Sequence, residues 1–91
     1  MVDSSRYEGE VVAGPGEVMT DEVGVVTGDL TIRTEVSDDQ ATVGVQYTGA
    51  DEWYTLTGSP VPLGGRSGRE VHEAILAAVA AGLPEGLTVD P

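Results

Sequence analysis

Two stretches of the chain decide its fold: Leu30-Thr31-Ile32-Arg33-Thr34-Glu35-Val36 and Ala41-Thr42-Val43-Gly44-Val45-Gln46-Tyr47. In each of them mostly apolar side chains alternate with mostly polar ones, which is the period-two pattern of a half-buried β-strand. The residues between them, Ser37-Asp38-Asp39-Gln40, favour a turn because their side chains hydrogen-bond to their own backbone. The sequence therefore predicts an antiparallel hairpin over residues 30–47.

Three further segments extend this hairpin into a sheet. Residues 6–13 combine β-forming residues with acids and predict a short or edge strand. Residues 18–26 predict one strand with a bulge at Gly24, and residues 53–57 predict the last strand. The intervening turns are short, so consecutive strands are expected to be antiparallel neighbours in a meander of four or five strands.

A helix is predicted over residues 67–81. Ser67 supplies an N-cap and Glu70 follows three residues later, which together make a capping box. Gly82 fits the left-handed position that ends a helix, and Pro84 prevents its continuation. One apolar stripe of this helix is expected to lie on the sheet: Val71, Ile75, Val79 and Gly82, with Leu76 and Leu83 beside it.

The predicted fold class is α+β, with the antiparallel meander packed on one face by the C-terminal helix. A single domain is expected over residues 1–91. Its parts are a flexible N-terminus, the meander, a proline-containing loop that leaves the sheet, the helix and an extended tail: residues 1–5, 6–58, 59–66, 67–81 and 82–91. In the tail, Leu87 and Val89 are expected to pack against the domain.

Charge is the strongest compositional signal. Sixteen acids stand against four arginines and no lysine, which gives a formal net charge of −12 at pH 7. Lysine, asparagine and phenylalanine are absent and isoleucine is rare, which indicates a GC-rich source; that bias alone would enrich arginine, which is scarce. Three interpretations of the acidity stay open: an ordinary acidic cytosolic protein, adaptation to high internal salt, and an acidic binding face.

The acids are concentrated in the first part of the chain. Residues 1–52 hold twelve acids and two arginines, whereas residues 53–91 hold four acids and two arginines. This uneven distribution favours one acidic face, which would attract a basic protein partner and repel nucleic acid and anionic membranes. The candidate partner-binding residues are Glu8, Glu10, Glu17, Asp21, Glu22, Asp29, Glu35, Asp38, Asp39, Asp51 and Glu52.

The predicted helix has no polar side beyond Glu73. Residues 74–84 carry no charge, although a surface helix normally shows polar residues opposite its packed face. Alanine is the best helix former and tolerates exposure, which is one explanation. The other is a second burial surface, since small residues three and four apart let another helix approach. We predict a homodimer whose interface contains Ala74, Ala77, Ala78 and Ala81.

A glycine–arginine loop leads into the helix and is a candidate anion site. Gly65 exposes a backbone N–H group, Arg66 and Arg69 add positive charge, and the helix N-terminus favours anions. The loop is not a Walker motif, which requires a lysine after the second glycine, and Glu70 would compete with a bound anion. The alternatives are a plain cap with a flexible loop, and pairing of the arginines with acids.

The remaining reactive residues do not form a recognisable catalytic or metal site. His72 is the only histidine and is interpreted as structural, cysteine is absent, and no histidine–acid arrangement surrounds the five serines, so no enzyme is expected. The acidic doublets lack EF-hand spacing, so neither a metal nor a cofactor is expected. Trp53 and Tyr54 should point to opposite faces of the last strand, one in the core and the other exposed.

The sequence thus predicts a non-enzymatic regulatory module that binds a basic protein partner, with a nucleic-acid-mimicking inhibitor as its narrower form. The alternatives are a structural or assembly component, such as a small virion or scaffold protein, and a small-anion binder. Direct nucleic-acid binding is not expected without a basic stripe. The polar N-terminus and the short uncharged run of residues 74–84 predict the cytoplasm of a cell or infected host, with no membrane association.

Overall fold

The computed structural model describes residues 5–15 and 17–87, and this part of the chain forms seven strands and one helix. They are β1 (Ser5–Val12), β2 (Val18–Thr20), β3 (Gly24–Val26), β4 (Asp29–Ser37), β5 (Gln40–Tyr47), β6 (Tyr54–Thr55), β7 (Val61–Pro62) and α1 (Gly68–Ala81). The main sheet has the order β1-β4-β5-β6 with β7 also paired to β5, and β2 and β3 form a second sheet. The predicted α+β class, with an antiparallel sheet and a C-terminal helix, is confirmed.

The β4–β5 hairpin is the centre of the main sheet and shows the predicted alternation. Its register places Ile32 opposite Val45 and Thr34 opposite Val43, and all four side chains are fully buried. The two aspartates of the turn have φ angles of 53° and 63°, in the left-handed region that aspartate tolerates better than most side chains. The residues on the opposite side of both strands form the outer face of the sheet.

Strand β1 is the direct neighbour of β4. Its antiparallel register runs without interruption from Ser5 opposite Val36 to Val12 opposite Asp29. The meander prediction placed residues 18–26 beside β1 as one strand, and that detail is wrong. Those residues form a separate hairpin of two three-residue strands, so the chain passes from β1 to β4 by way of a second small sheet.

A turn inside residues 18–26 explains this difference. The hydroxyl of Thr20 donates to the carbonyl oxygen of Gly24 at 2.7 Å and accepts from the N–H of Val23 at 3.3 Å. Gly24 has a φ of 75°, which reverses the chain direction at the turn and does not mark a bulge. A side-chain hydroxyl thus satisfies the turn backbone and makes a tight hairpin more favourable than a continuous strand.

The small hairpin is attached to the rest of the domain through β2. A parallel bridge joins Val18 to Leu83, and an antiparallel bridge joins Thr20 to Leu56. Val18, Val26 and Leu56 are buried in the same core as the inner side chains of β4 and β5. The hairpin and the segment after the helix therefore complete one hydrophobic core.

Helix α1 packs against β1 and β4, and its predicted start is confirmed. The N–H of Glu70 donates to Ser67 Oγ at 3.1 Å, while the Ser67 N–H donates to Glu70 Oε1 at 3.0 Å, which completes the capping box. The helix lies close to the sheet at Gly9, where a Cβ atom would be 2.9 Å from Cδ1 of Leu76. The buried side chains of the helix are Val71, His72, Ile75 and Val79.

The helix ends at Gly82, as predicted, but in a different backbone conformation. Its φ of 102° and ψ of 134° lie outside the left-handed helical region, in a part of the map that glycine adopts easily. The Gly82 N–H donates to the carbonyl oxygens of Ala78 and Val79 at 2.9 and 3.0 Å. A Cβ atom at this position would collide with the carbonyl oxygen of Pro15.

The segment predicted as a loop, residues 59–66, stays partly in the sheet. Strand β7 pairs Val61 with Ala41 and Pro62 with Gln40, so the expectation that the prolines exclude a ladder was wrong. Proline is accepted there because β7 lies at the sheet edge, where its missing N–H faces away from the ladder. In the tail, the Leu87 N–H donates to the Thr57 carbonyl at 2.7 Å. The predictions for residues 1–4 and for Val89 fall outside the described residues.

Replacement of Gly82 tests its close approach to the carbonyl oxygen of Pro15. We expect Gly82→Ala to lower the free energy of unfolding by about 2–4 kcal/mol, because it combines backbone strain with a collision in a packed region. Gly64→Ala is the control: Gly64 also has a positive φ, of 64°, but an added Cβ would meet no atom within 4 Å, so about 1 kcal/mol is expected. Equal losses in urea denaturation would contradict the packing role of Gly82.

Candidate interaction surface

The acids predicted to form one face are spread along the whole length of the main sheet. Asp38 and Asp39 form the turn at one end of the β4–β5 ladder, whereas Asp51 and Glu52 precede β6, beyond the other end. Strand β5, with eight residues, separates the two pairs by about 24 Å at about 3.4 Å per residue. These carboxylates therefore lie at opposite ends of the main sheet.

Two of the acids on the outer face are paired with arginines. Arg33 Nε donates to Glu8 Oε2 at 3.0 Å, and Arg6 Nη2 donates to Glu35 Oε2 at 3.3 Å. Both pairs connect β1 to β4 and are solvent-exposed, so each contributes roughly 0–1 kcal/mol to stability. Their more important consequence is that the charges of Glu8 and Glu35 are locally compensated.

Arg33 also contacts an aromatic ring. Its guanidinium carbon lies 3.9 Å from the centroid of a Trp53 ring, a cation–π arrangement on the outer face beside Gly44. Tyr54 is opposite Val45 and therefore points to the other face, as predicted. The expectation that one of these aromatics lies in the core was wrong. Both are half-buried, because the short strand β6 lies near the edge of the sheet.

Two other acids of the predicted binding face accept hydrogen bonds from within the chain. Glu22 accepts from both the hydroxyl and the N–H of Thr55 at 2.7 Å, and Asp21 accepts from the Thr57 hydroxyl at 2.8 Å. The hydrogen bonds from Thr55 lower the pKa of the Glu22 carboxyl. These carboxylates attach the β2–β3 turn to β6. Glu17 is half-buried, and its carbonyl accepts from the Leu83 N–H at 2.7 Å.

Four of the remaining acids lie at one end of the main sheet, which we call the acidic end: Glu10, Asp29, Asp51 and Glu52. Glu10 and Asp29 are close neighbours across the β1–β4 ladder, because Glu10 is opposite Thr31 and Asp29 is opposite Val12. Asp51 and Glu52 follow β5 at the same end. No arginine pairs with any of the four within the part of the chain that the structure describes.

An exposed apolar residue lies within the acidic end. Val12 is on the outer face opposite Asp29 and is 62% exposed. Sequence reasoning did not select Val12 as a site residue. The signal was present, because Val12 continues the i, i+2 series of Arg6, Glu8 and Glu10, where a polar residue is expected on a solvent face. Carboxylates beside an exposed aliphatic side chain can bind a partner through both charge and apolar contact.

The glycine–arginine loop does not bring its predicted anion ligands together. Arg66 Nε donates to the carbonyl oxygen of Leu63 at 3.0 Å, and Gly65 and Arg69 are exposed. The carboxylate of Glu70 already occupies the helix N-terminus. Hydrogen bonds from Ser67 lower the Glu70 pKa, and this charge would repel an incoming anion.

The predicted alanine surface is largely open in the single chain. Ala74, Ala77 and Ala81 are exposed, and Ala78 is half-buried. They lie away from the side of α1 that contacts Gly9 and Tyr7 of β1. Ala74, Ala77 and Ala81 are therefore accessible to a second copy of the chain, as the homodimer prediction requires, whereas Ala78 is only partly accessible.

His72 lies in the interface between helix and sheet. Its Nδ1 atom and Thr34 Oγ1 are 2.8 Å apart and hydrogen-bonded, and its ring stacks on Tyr7 with centroids 5.6 Å apart. Burial lowers the His72 pKa because the imidazolium would lose its hydration, and the nearby Glu73 carboxylate only partly opposes this effect. The folded protein therefore favours neutral histidine.

This arrangement predicts a pH-dependent stability. Because the His72 pKa is lower when folded, the unfolded chain binds its proton first as the pH falls, and stability is lost below about pH 6.5. We expect the unfolding free energy of wild type to fall more steeply between about pH 7 and pH 5 than that of His72→Gln. The carboxylates are common to both proteins, so equal slopes in urea titrations would refute the assignment.

Neither a membrane-crossing helix nor a metal cluster occurs in the described part of the chain. Within residues 5–15 and 17–87 no helix is long and apolar enough to cross a membrane. The same residues contain no group of three or more histidine, aspartate or glutamate side chains that could hold a metal ion. Comparison of the chain with protein-family models, curated proteins and solved structures found no match.

Proposed function

We propose that this chain is a non-enzymatic protein-interaction module that binds a basic partner protein through the acidic end of its main sheet. The observation that carries the proposal is the position of Glu10, Asp29, Asp51 and Glu52 at one end of the main sheet, without an arginine partner in the described residues, where Val12 opposite Asp29 is exposed. Carboxylates without a cationic partner accelerate association with a basic protein, and the aliphatic side chain adds apolar contact area. Glu52 also accepts a hydrogen bond from the Tyr54 hydroxyl at 3.3 Å, which leaves its charge uncompensated.

The acidic end serves this role better than the other acids of the chain. Glu8 and Glu35 are compensated by arginines, and Asp21 and Glu22 accept hydrogen bonds from β6 and the segment after it. Arg33 interrupts the negative charge in the middle of the outer face. A nucleic-acid-mimicking inhibitor needs carboxylates in regular succession along one surface, so the broader class of basic protein partner is the better supported form.

A pair of isosteric double variants tests the proposal. Asp51→Asn with Glu52→Gln neutralises half of the acidic end, and Asp38→Asn with Asp39→Asn neutralises the same number of charges at the opposite end. In pull-downs at about 0.05 M salt, we expect the first variant to retain about tenfold less basic protein, as the loss of two charge contacts predicts. The second variant should behave as wild type, and about 0.5 M salt should abolish retention.

The comparison between the two variants is decisive because any acidic protein retains some basic protein at low salt. Asparagine accepts the left-handed backbone of the β4–β5 turn, so the control variant keeps its fold. Equal retention by the two variants, or retention that does not respond to salt, would refute binding at the acidic end.

The alanine surface of α1 adds a self-association prediction. The exposed Ala77 lies between Ala74 and Ala81 on the side of the helix that faces away from β1. We expect the wild type to sediment as a dimer and Ala77→Glu to sediment as a monomer, since a charge buried at the contact loses its hydration. Ala77→Gln, of the same size but uncharged, is the control. A wild type that stays monomeric at high concentration would contradict the dimer.

A further inference from the structure

The two edges of the main sheet differ in how well they are protected. On one side β6 and β7 have only two residues each, β7 contains Pro62, and β6 continues into the β2 bridge between Leu56 and Thr20. On the other side β1 has eight residues and pairs only with β4 among the strands of the described chain. Short strands, prolines, bulges and charged side chains protect sheet edges, and of these β1 has only the charges of Arg6, Glu8 and Glu10.

The alternation of hydrogen bonds between β1 and β4 shows which backbone groups of β1 point away from β4, to the edge of the sheet. The Ala13 N–H donates to Gly28 across the continued β1–β4 ladder at 3.0 Å. Bonded and non-bonded pairs alternate in an antiparallel ladder, so Val11, Gly9 and Tyr7 also bond to β4. Asp29, which is opposite Val12, shows the same alternation. Its carbonyl oxygen accepts from the Thr48 N–H on the β5 side, so its backbone groups point away from β1.

The outward-facing backbone groups therefore belong to four residues whose side chains lie on the outer face: Arg6, Glu8, Glu10 and Val12. Two of these side chains are carboxylates two residues apart: Glu8 is paired with Arg33, and Glu10 has no arginine partner among the described residues. Shallow open depressions lined by Glu8, Glu10, Val12 and Asp29 follow this ladder. On the other face, the half-buried Tyr7 lies against His72 and Gly68 of helix α1, and the half-buried Val11 packs against the hydrophobic core. An added strand would meet Arg6, two acids and Val12 in turn on the outer face, and apolar side chains on the other face.

We infer that β1 binds an extended segment of the basic partner by strand addition. The segment carries lysine or arginine at alternate positions, with Glu10 as the main charge contact because Glu8 is shared with Arg33. Apolar residues lie between them, next to Tyr7 and Val11. Backbone hydrogen bonds to Glu8 and Glu10 supply affinity, and the alternation supplies specificity. This inference rests on the proposed function, and it adds the form of the partner and the strand that receives it.

A second copy of β1 fits the edge less well than a basic segment. The two longest antiparallel overlaps of β1 with a second copy place like charges together: pairing about Glu8 sets that glutamate opposite itself, and pairing about Gly9 sets Glu8 opposite Glu10. Pairing about Tyr7 sets Arg6 opposite Glu8, but it overlaps only over residues 5–9 of the strand. Like charges directly opposite each other destabilise a sheet, and each chain carries a net charge of −12. Charge complementarity therefore favours a basic occupant.

Amide hydrogen exchange followed by NMR tests the inference. The probe is an end-capped eight-residue peptide of alternating lysine and valine, and the control peptide has the same composition in two blocks. We expect the alternating peptide to slow exchange of the outward amides of Glu8, Glu10 and Val12 by about tenfold or more. The inward amides of Gly9 and Val11 should already be slow, and the block peptide should leave the outward amides unchanged.

A matched pair of variants separates the backbone contribution from the charge. Glu10→Thr and Glu10→Pro remove the same carboxylate, but only proline removes the outward N–H, and proline is tolerated at an edge position of this kind. We expect the alternating peptide to bind Glu10→Pro about tenfold more weakly than Glu10→Thr, the loss of about one hydrogen bond. Thermal unfolding with retained cooperativity confirms that both variants are folded.

The outcomes distinguish this inference from the proposed function. One outcome is that a basic protein is retained in a salt-sensitive way while the outward β1 amides exchange as fast as in the protein alone. This result overturns strand addition and is consistent with the proposed function. Equal peptide affinity of the two Glu10 variants also overturns it. Outward amides that slow as the protein concentration rises, without peptide, assign the edge to a second copy and overturn it too. If neither peptide nor any basic protein binds, both proposals are wrong.

Discussion

The rest of the structure depends on the pairing of β4 on both of its sides. Its alternate backbone groups bond to β1 and to β5, while Leu30, Ile32 and Thr34 on its inner side are fully buried. A shift of the register by one residue would move this whole set to the solvent face, so burial of the inner side chains fixes the register. The fixed register then determines where every charge of the outer face lies.

The position of each arginine follows from that register and shapes the electrostatic surface. Arg33 lies between Glu8 and the ring of Trp53, and Arg6 lies opposite Glu35. The middle of the outer face is therefore nearly compensated despite the large net charge of the chain. Uncompensated carboxylates are left at the two ends of the β4–β5 ladder, and one of these ends also exposes an aliphatic side chain. A basic partner is most strongly favoured there.

Some of the acidic side chains also stabilise the fold through hydrogen bonds within the chain. Glu22 and Asp21 hold the β2–β3 turn against threonines after β5, and Glu70 caps the helix. Each of these carboxylates accepts hydrogen bonds that water would otherwise supply, and the pKa values of Glu22 and Glu70 are lowered as a result. The buried His72 shows the opposite preference, for the neutral form, because it lies between helix and sheet.

The sequence by itself determined the local elements, since their signals are short in range. Alternation defined β4 and β5, the capping box defined the start of α1, and the need for glycine at position 82 defined its end. Only the tertiary structure decided that β1 pairs with β4, because the Thr20 hydroxyl folds residues 18–26 into their own hairpin. That long-range pairing brings Glu10 close to Asp29, pairs Glu8 with Arg33, and leaves β1 with a single neighbouring strand among the described residues. Alternation shows which face a side chain takes, but the neighbouring strand is chosen by burial and hydrogen bonding across the whole domain.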